Sequence, residues 1–80
     1  MKIEFSRHSK RRMKLYSISE EIVINLINHE NIKEEGKYEI IKRVETLSLP
    51  IKIVFIYEED KVVVITAYPL KRGLNENILW

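Results

Sequence analysis

The sequence predicts an α+β domain in which two N-terminal helices pack on an antiparallel sheet of three or four strands. Residues 7–15 contain no glycine, proline or β-branched residue, and residues 19–30 carry apolar side chains at helical spacing. Residues 37–68 consist mainly of apolar, strand-like segments separated by turn residues. The helices precede these three strand-like segments, an order typical of a helical layer on one sheet. Eighty residues make a single domain, 1–80.

The first helix follows a short extended segment. Ile3 and Phe5 alternate with charged residues, which predicts a short edge strand at the N-terminus. Ser6 is a favourable N-cap residue, and the helix is expected to run from Arg7 to about Leu15.

The second helix has two candidate start points. Ser17 and Glu20 form an S-x-x-E capping box, and Ser19 is an alternative N-cap. One apolar stripe follows at helical spacing: Ile22, Val23, Leu26 and Ile27.

Three strands are expected after the helices. The first covers residues 37–47, and Leu49 and Pro50 end it. The second begins at Ile51, residues 58–61 form a polar turn, and the third covers residues 62–68. The second and third strands are nearly continuous apolar runs, which is typical of strands in the middle of a sheet.

Composition excludes several classes of site. The chain has no cysteine, which excludes disulfides and thiolate metal sites. His8 and His29 lie in different contexts and do not make a zinc site. No P-loop, dinucleotide fingerprint or nucleophile elbow occurs, so we expect neither a metal nor a cofactor. The chain has no apolar run of about 18 residues and no signal region, which predicts a cytoplasmic protein without membrane contact.

The charge is distributed unevenly along the chain. Residues 1–19 contain six lysines and arginines against one glutamate, whereas the remainder contains eight basic and eleven acidic residues. One basic surface suggests an anionic partner. A solvated helix face in a lysine-rich protein explains the same pattern equally well.

Within the basic stretch, one histidine lies beside arginines. His8 and Arg12 are four residues apart and share a helix face about 6 Å apart, and Arg11 flanks the same face. An imidazole that moves protons, beside cations that stabilise a phosphate, suits phosphodiester cleavage. Spacing leaves two other interpretations open, which are phosphate contact without chemistry and an idle exposed histidine.

The sequence resembles a family of small uncharacterised prokaryotic domains with the pattern H-x-x-x-R-M-x-x-x-x-I-S. Two stretches carry the resemblance, "FSRHSKRRMKLYSIS" at residues 5–19 and "IKIVFIYEEDKVVVITAY" at residues 51–68. That family is grouped with the RelE-like toxins in the barnase–EndoU–colicin–RelE fold of metal-independent ribonucleases. The resemblance covers roughly residues 4–72 in the same order, from the basic helix to strands ending in T-x-Y.

The resemblance assigns roles to individual residues. It implies that His8 is the acid–base group, that Arg12 stabilises charge and that Tyr68 stacks on a base or donates a proton. The family motif also falls on Met13, Ile18, Ser19 and Thr66. Of these, Met13 and Ile18 are expected in the core and Ser19 as a cap. The family usually has a second arginine and a small residue where this chain has Tyr16 and Ser17.

Further cations and a threonine are candidate RNA contacts. Thr66 lies two residues from Tyr68 on the same strand face. Lys71 and Arg72 follow the last strand and either clamp the phosphate or form a solvated turn. Lys42 interrupts an apolar strand face and either snorkels to the edge or reaches a phosphate.

The resemblance implies a toxin-like endoribonuclease that cleaves mRNA, free or ribosome-bound, by attack of the 2′-hydroxyl on its own phosphate. An antitoxin partner in a type II toxin–antitoxin system is then expected. The apolar Ile78, Leu79 and Trp80 suit a contact with that antitoxin or with a second copy in a homodimer. The alternative is a non-catalytic module that binds RNA or a protein partner on the same scaffold. A third interpretation is an antitoxin or structural subunit.

Overall fold

A computed structural model describes residues 2–70, which form two helices and a four-stranded mixed sheet. The elements in chain order are β1 (Lys2–Phe5), α1 (Arg7–Leu15), α2 (Glu20–Asn28), β2 (Gly36–Lys42), β3 (Ile51–Glu58) and β4 (Lys61–Pro69). The predicted α+β class is confirmed. Within residues 2–70, neither helix is long and apolar enough to cross a membrane.

The sheet is mixed, so the prediction of an antiparallel sheet was wrong for one strand. The strand order is β1-β4-β3-β2, and β1 pairs in parallel with β4, from Lys2 opposite Lys61 to Phe5 opposite Val64. The helices therefore lie between β1 and β2 and do not precede the whole sheet. A parallel pair needs a long crossover connection, and the segment from α1 to β3 supplies it.

Strand β2 is shorter at its C-terminal end than the sequence pattern predicted. It ends at Lys42, opposite Ile51 at the start of β3, whereas the expected strand extended to residue 47. Beyond Lys42 no residue of β3 is available as a partner. The chain turns instead, and the amide of Leu47 donates to the Val44 carbonyl at 3.0 Å.

The two helices are joined by a tight turn. Ser17 adopts a left-handed conformation with φ of 59°, and the amide of Ile18 donates to the Met13 carbonyl at 2.8 Å. This pattern is a Schellman motif. Ser19 caps α2 by accepting a hydrogen bond from the Ile22 amide at 3.2 Å. Of the two predicted start points, the structure therefore uses Ser19.

The core lies between the helices and one face of the sheet. Its buried members are Met13, Ile18, Val23, Ile27, Ile51, Ile53, Phe55, Val62, Val64 and Ala67. The expected core positions of Met13 and Ile18 are confirmed. We call the opposite side of the sheet the open face. The side chains of β2, β3 and β4 on it are those of Lys37, Glu39, Ile41, Lys52, Val54, Ile56, Glu58, Lys61, Val63, Thr66 and Tyr68.

Candidate nucleic-acid interface

A β-bulge in β4 determines which side chains reach the open face. Val54 pairs with Thr66, but the next residue of β3, Phe55, pairs with Val64. Ile65 is therefore an extra residue that has no partner on β3. Bulges of this kind bend a strand and re-aim the side chains that follow them.

The bulge places two predicted site residues on the open face. If the register from the preceding turn continued unchanged, Thr66 would pair with Ile53, which is fully buried on the covered face. A one-residue shift moves every later side chain to the other face. Thr66 and Tyr68 consequently lie on the open face, where Tyr68 is paired with Lys52.

Helix α1 is anchored at the same bulge. The amide of Ser6 donates to the Val64 carbonyl at 3.0 Å, and the Ser6 hydroxyl donates to the carbonyl of Ile65 at 3.0 Å. The Ser6 hydroxyl also accepts a hydrogen bond from the amide of Ser9 at 3.0 Å, which confirms Ser6 as the N-cap. One serine therefore fixes the start of the basic helix against β4.

Arg12 connects α1 to the open face. Its guanidinium carbon lies 5.0 Å from the centre of the Tyr68 ring and 5.9 Å from that of Tyr16, one helical turn later. Both distances fit cation–π contacts. The next residue, Met13, is buried in the core, so α1 packs on the covered face while the Arg12 side chain contacts a residue of the open face. The structure thus brings together Arg12 and Tyr68, which the sequence had paired only through the family pattern.

Two polar atoms in this region are buried without a hydrogen-bond partner among residues 2–70. They are Nε of Arg12 and Oγ1 of Thr66. An unpaired buried polar group costs about 1–3 kcal/mol, and such groups mark sites that need an explanation. Both atoms belong to residues predicted as site residues. We call Arg12, Tyr16, Lys52, Thr66 and Tyr68 the Arg12 cluster.

Lys52 is a member of the Arg12 cluster that sequence reasoning missed. Its Nζ lies 3.1 Å from Oε1 of Glu39. The hydrogen bond to Glu39 raises the pKa of Lys52, and the nearby Tyr68 adds to this rise. Lys52 in turn lowers the pKa of Glu39. Alternation within "IKIVF" predicts that Lys52 lies on the other face of the strand from Ile51 and Ile53. Its pairing with Tyr68, however, depends on the bulge.

His8 and Arg11 lie on the exposed surface of α1. The helix is confirmed from Arg7 to Leu15, so His8 and Arg12 are one turn apart on the same side. Among residues 2–70, neither His8 nor Arg11 makes a side-chain hydrogen bond or an ion pair. The imidazole is exposed, and within residues 2–70 no hydrogen bond or ion pair fixes its orientation.

Lys42 lies away from the Arg12 cluster. It is paired with Ile51 and shares the face covered by the helices, whereas Thr66 and Tyr68 lie on the open face. Its Nζ is 2.7 Å from Oε2 of Glu30, which follows α2. Lys42 is thus in an ion pair on the other face of the sheet from Thr66 and Tyr68, and its predicted RNA contact stays a prediction. The predicted contacts Lys71 and Arg72 lie outside the described residues.

Comparison of the chain with protein-family models, with curated proteins and with solved structures gives no match. The resemblance to RelE-like toxins thus remains a prediction. Within residues 2–70, no three histidine, aspartate or glutamate side chains lie close enough together to hold a metal ion. The candidate site is the Arg12 cluster, in which cationic, aromatic and hydroxyl side chains come from α1 and from the open face.

Proposed function

We propose that this protein is a toxin-like, metal-independent endoribonuclease of the RelE-like kind, and that RNA binds along α1 and the open face. The observation that supports the proposal is the cation–π contact between Arg12 and Tyr68, which is paired with Lys52. The exposed His8 lies one helical turn before Arg12. Guanidinium and ammonium groups bind phosphate, and aromatic rings and guanidinium planes stack on unpaired bases. Single-stranded mRNA is the substrate that matches these groups.

The proposed reaction requires no external reactant. The 2′-oxygen of one nucleotide attacks the adjacent phosphorus and loses its proton to a base. The bond from phosphorus to the 5′-oxygen of the next nucleotide breaks, and that oxygen gains a proton. The products are a 2′,3′-cyclic phosphate and a 5′-hydroxyl. His8 transfers protons, and Arg12 and Lys52 stabilise the charge on the phosphate.

Tyr16 takes the place of the second arginine expected from the family pattern. Its ring lies within cation–π distance of Arg12, so the Arg12 cluster has an aromatic group at this position. Tyr16 is 41% exposed and can stack on a base that approaches along α1. We therefore assign Tyr16 a role in RNA binding.

An uncontrolled ribonuclease harms its host, so the proposal includes an antitoxin partner in the cytoplasm. Its expected binding surface is the open face beside α1, because covering the Arg12 cluster blocks RNA. The local excess of basic residues in α1 favours an acidic segment of the partner.

The proposal is tested by adding the purified protein to a cell-free translation extract and mapping new RNA ends by sequencing. An extract contains both free and ribosome-bound RNA, so either substrate gives a signal. We expect new ends with cyclic phosphate for the wild type and their loss in His8→Ala. His29→Ala is the matched control, because His29 is also exposed but follows α2. An RNA population unchanged by the wild type would contradict the proposed activity.

A second candidate function is a module that binds RNA or a protein partner without catalysis. It is favoured by the lack of any hydrogen bond from His8 within residues 2–70, since a catalytic histidine is normally oriented by a partner. In this case the extract contains no new ends, whereas Arg12→Ala still weakens RNA binding measured by fluorescence anisotropy.

A further inference from the structure

Strand β2 forms one edge of the sheet. The order β1-β4-β3-β2 leaves the side of β2 away from β3 without a partner strand among residues 2–70. The unpaired amides and carbonyls of an edge strand are a template for pairing with another chain. The side chains of β2 determine which partner strand fits this edge.

The side chains of β2 suit a second copy of the same strand. Ile41 lies on the open face near the end of β2 and is 55% exposed, which is unusual for a large apolar side chain in a strand. Two residues before it is Glu39 and two residues after it is Arg43. This sequence is charge-complementary to itself when read in the opposite direction.

The pleat of the sheet restricts the possible registers. In an antiparallel pair, residues opposite each other lie on the same face, so a symmetric pair of β2 strands is centred on one residue. Centring on Ile41 places the two isoleucines together and puts Glu39 opposite Arg43 on both sides. Centring on Glu39 instead places two like charges together. Centring on Tyr38 puts Ile41 opposite Glu35.

The same register supplies a partner for two residues that continue the strand pattern beyond β2. Arg43 and Val44 continue the strand pattern, but β3 begins at Ile51, opposite Lys42, and provides no partner for them. In a pair centred on Ile41, residues 37–41 of the second copy provide the missing partner. The segment predicted as strand from sequence would then be strand in the paired protein.

Lysines on an edge strand usually prevent pairing, so their partners matter. In the register centred on Ile41, Lys37 lies opposite Glu45 of the second copy, and Lys42 lies opposite Ile40. Lys42 is also neutralised within its own chain by Glu30. Neither lysine therefore meets a like charge across the interface.

We propose that two copies of this chain pair antiparallel through β2, centred on Ile41, and form one continuous sheet. The two-fold axis is perpendicular to the sheet, so both open faces lie on the same side. The proposal does not depend on what the open face binds.

Sedimentation equilibrium of the full chain, from micromolar to millimolar concentration, tests the pairing. We expect the mass to rise with concentration to twice 9.6 kDa for the wild type and to remain 9.6 kDa for Ile41→Asp. Leu15→Asp is the matched control, because Leu15 is 70% exposed on α1 and lies outside the interface. A monomeric wild type, or an Ile41→Asp variant that still pairs, would overturn the proposal.

A charge exchange tests the register through a gain of pairing and not only through its loss. Arg43→Glu and Glu39→Arg each place like charges opposite each other in a pair of identical copies, so each is expected to be monomeric. A mixture of the two variants restores both opposite-charge contacts and should form a heterodimer of twice the single-chain mass. Two variants that are folded by circular dichroism but do not pair when mixed would exclude this register.

Discussion

At the residue scale, Thr66 shows how one hydroxyl can be placed at a cost to stability. The bulge turns Thr66 onto the open face, where its Oγ1 is buried and has no hydrogen-bond partner among residues 2–70. Valine at this position would have nearly the same shape without the unsatisfied hydroxyl. A protein selected only for stability would favour valine.

We therefore expect Thr66→Val to increase the free energy of unfolding by about 1 kcal/mol, because it removes an unpaired buried polar group. This corresponds to a rise in Tm of about 4–8 °C for a domain of this size. Thermal unfolding followed by circular dichroism measures the change. Thr46→Val, at an exposed position in the turn after β2, should give no such gain. A lower Tm for Thr66→Val would show that the hydroxyl contributes to stability.

Individual residues show which parts of the candidate site can be predicted from the sequence. His8 and Arg12 were placed on one helix face from their spacing, and the helix boundaries agree with the prediction. Lys52 was missed, since its neighbour Tyr68 depends on an extra residue in the middle of an apolar run. Nothing in the local pattern of "VVVITAY" marks Ile65 as that residue, because bulges depend on pairing with the next strand.

At the element scale, the turn between α1 and α2 contains a residue that is poorly suited to its conformation. Ser17 has φ of 59° at the position after the α1 C-cap, where glycine is preferred because it has no Cβ. The Schellman motif holds Ser17 there because Ile18 has to reach the core beside Met13. The strain is local and can be relieved by one substitution.

We expect Ser17→Gly to stabilise the protein by about 0.5–1 kcal/mol, because glycine adopts this backbone conformation without steric cost. Chemical denaturation gives the free energy of unfolding. Ser48→Gly is the control, since the backbone of Ser48 has no positive φ and added chain freedom should leave stability unchanged or lower it. A destabilised Ser17→Gly would mean that the serine side chain contributes a contact in this turn.

Elements differ in how well local sequence predicts them. The helices begin at the capping serines Ser6 and Ser19, so their N-terminal boundaries follow from the sequence. Strand β2 ends where its partner ends, which local composition does not encode. The pairing of β1 with β4 joins residues about 60 positions apart, so its parallel direction could not be inferred from alternation alone.

At the scale of the whole molecule, the basic residues are concentrated on one of the two helices. Both helices cover the same face of the sheet, but Arg12 of α1 also contacts Tyr68 on the open face, whereas α2 begins with Glu20 and Glu21. The central claim is therefore spatial: RNA contacts α1 and the open face.

The most direct test is a titration of the isotope-labelled protein with single-stranded RNA, in which amide NMR shifts are recorded for each residue. The RNA is 2′-O-methylated, so it has no 2′-hydroxyl available for attack. Low ionic strength comes first, because phosphate contacts weaken as salt increases. We expect shifts along α1 and at Lys52, Thr66 and Tyr68, with little change at Glu30 and Lys42. Shifts confined to α2 and its surroundings, or no shift at any salt concentration, would contradict the proposed interface.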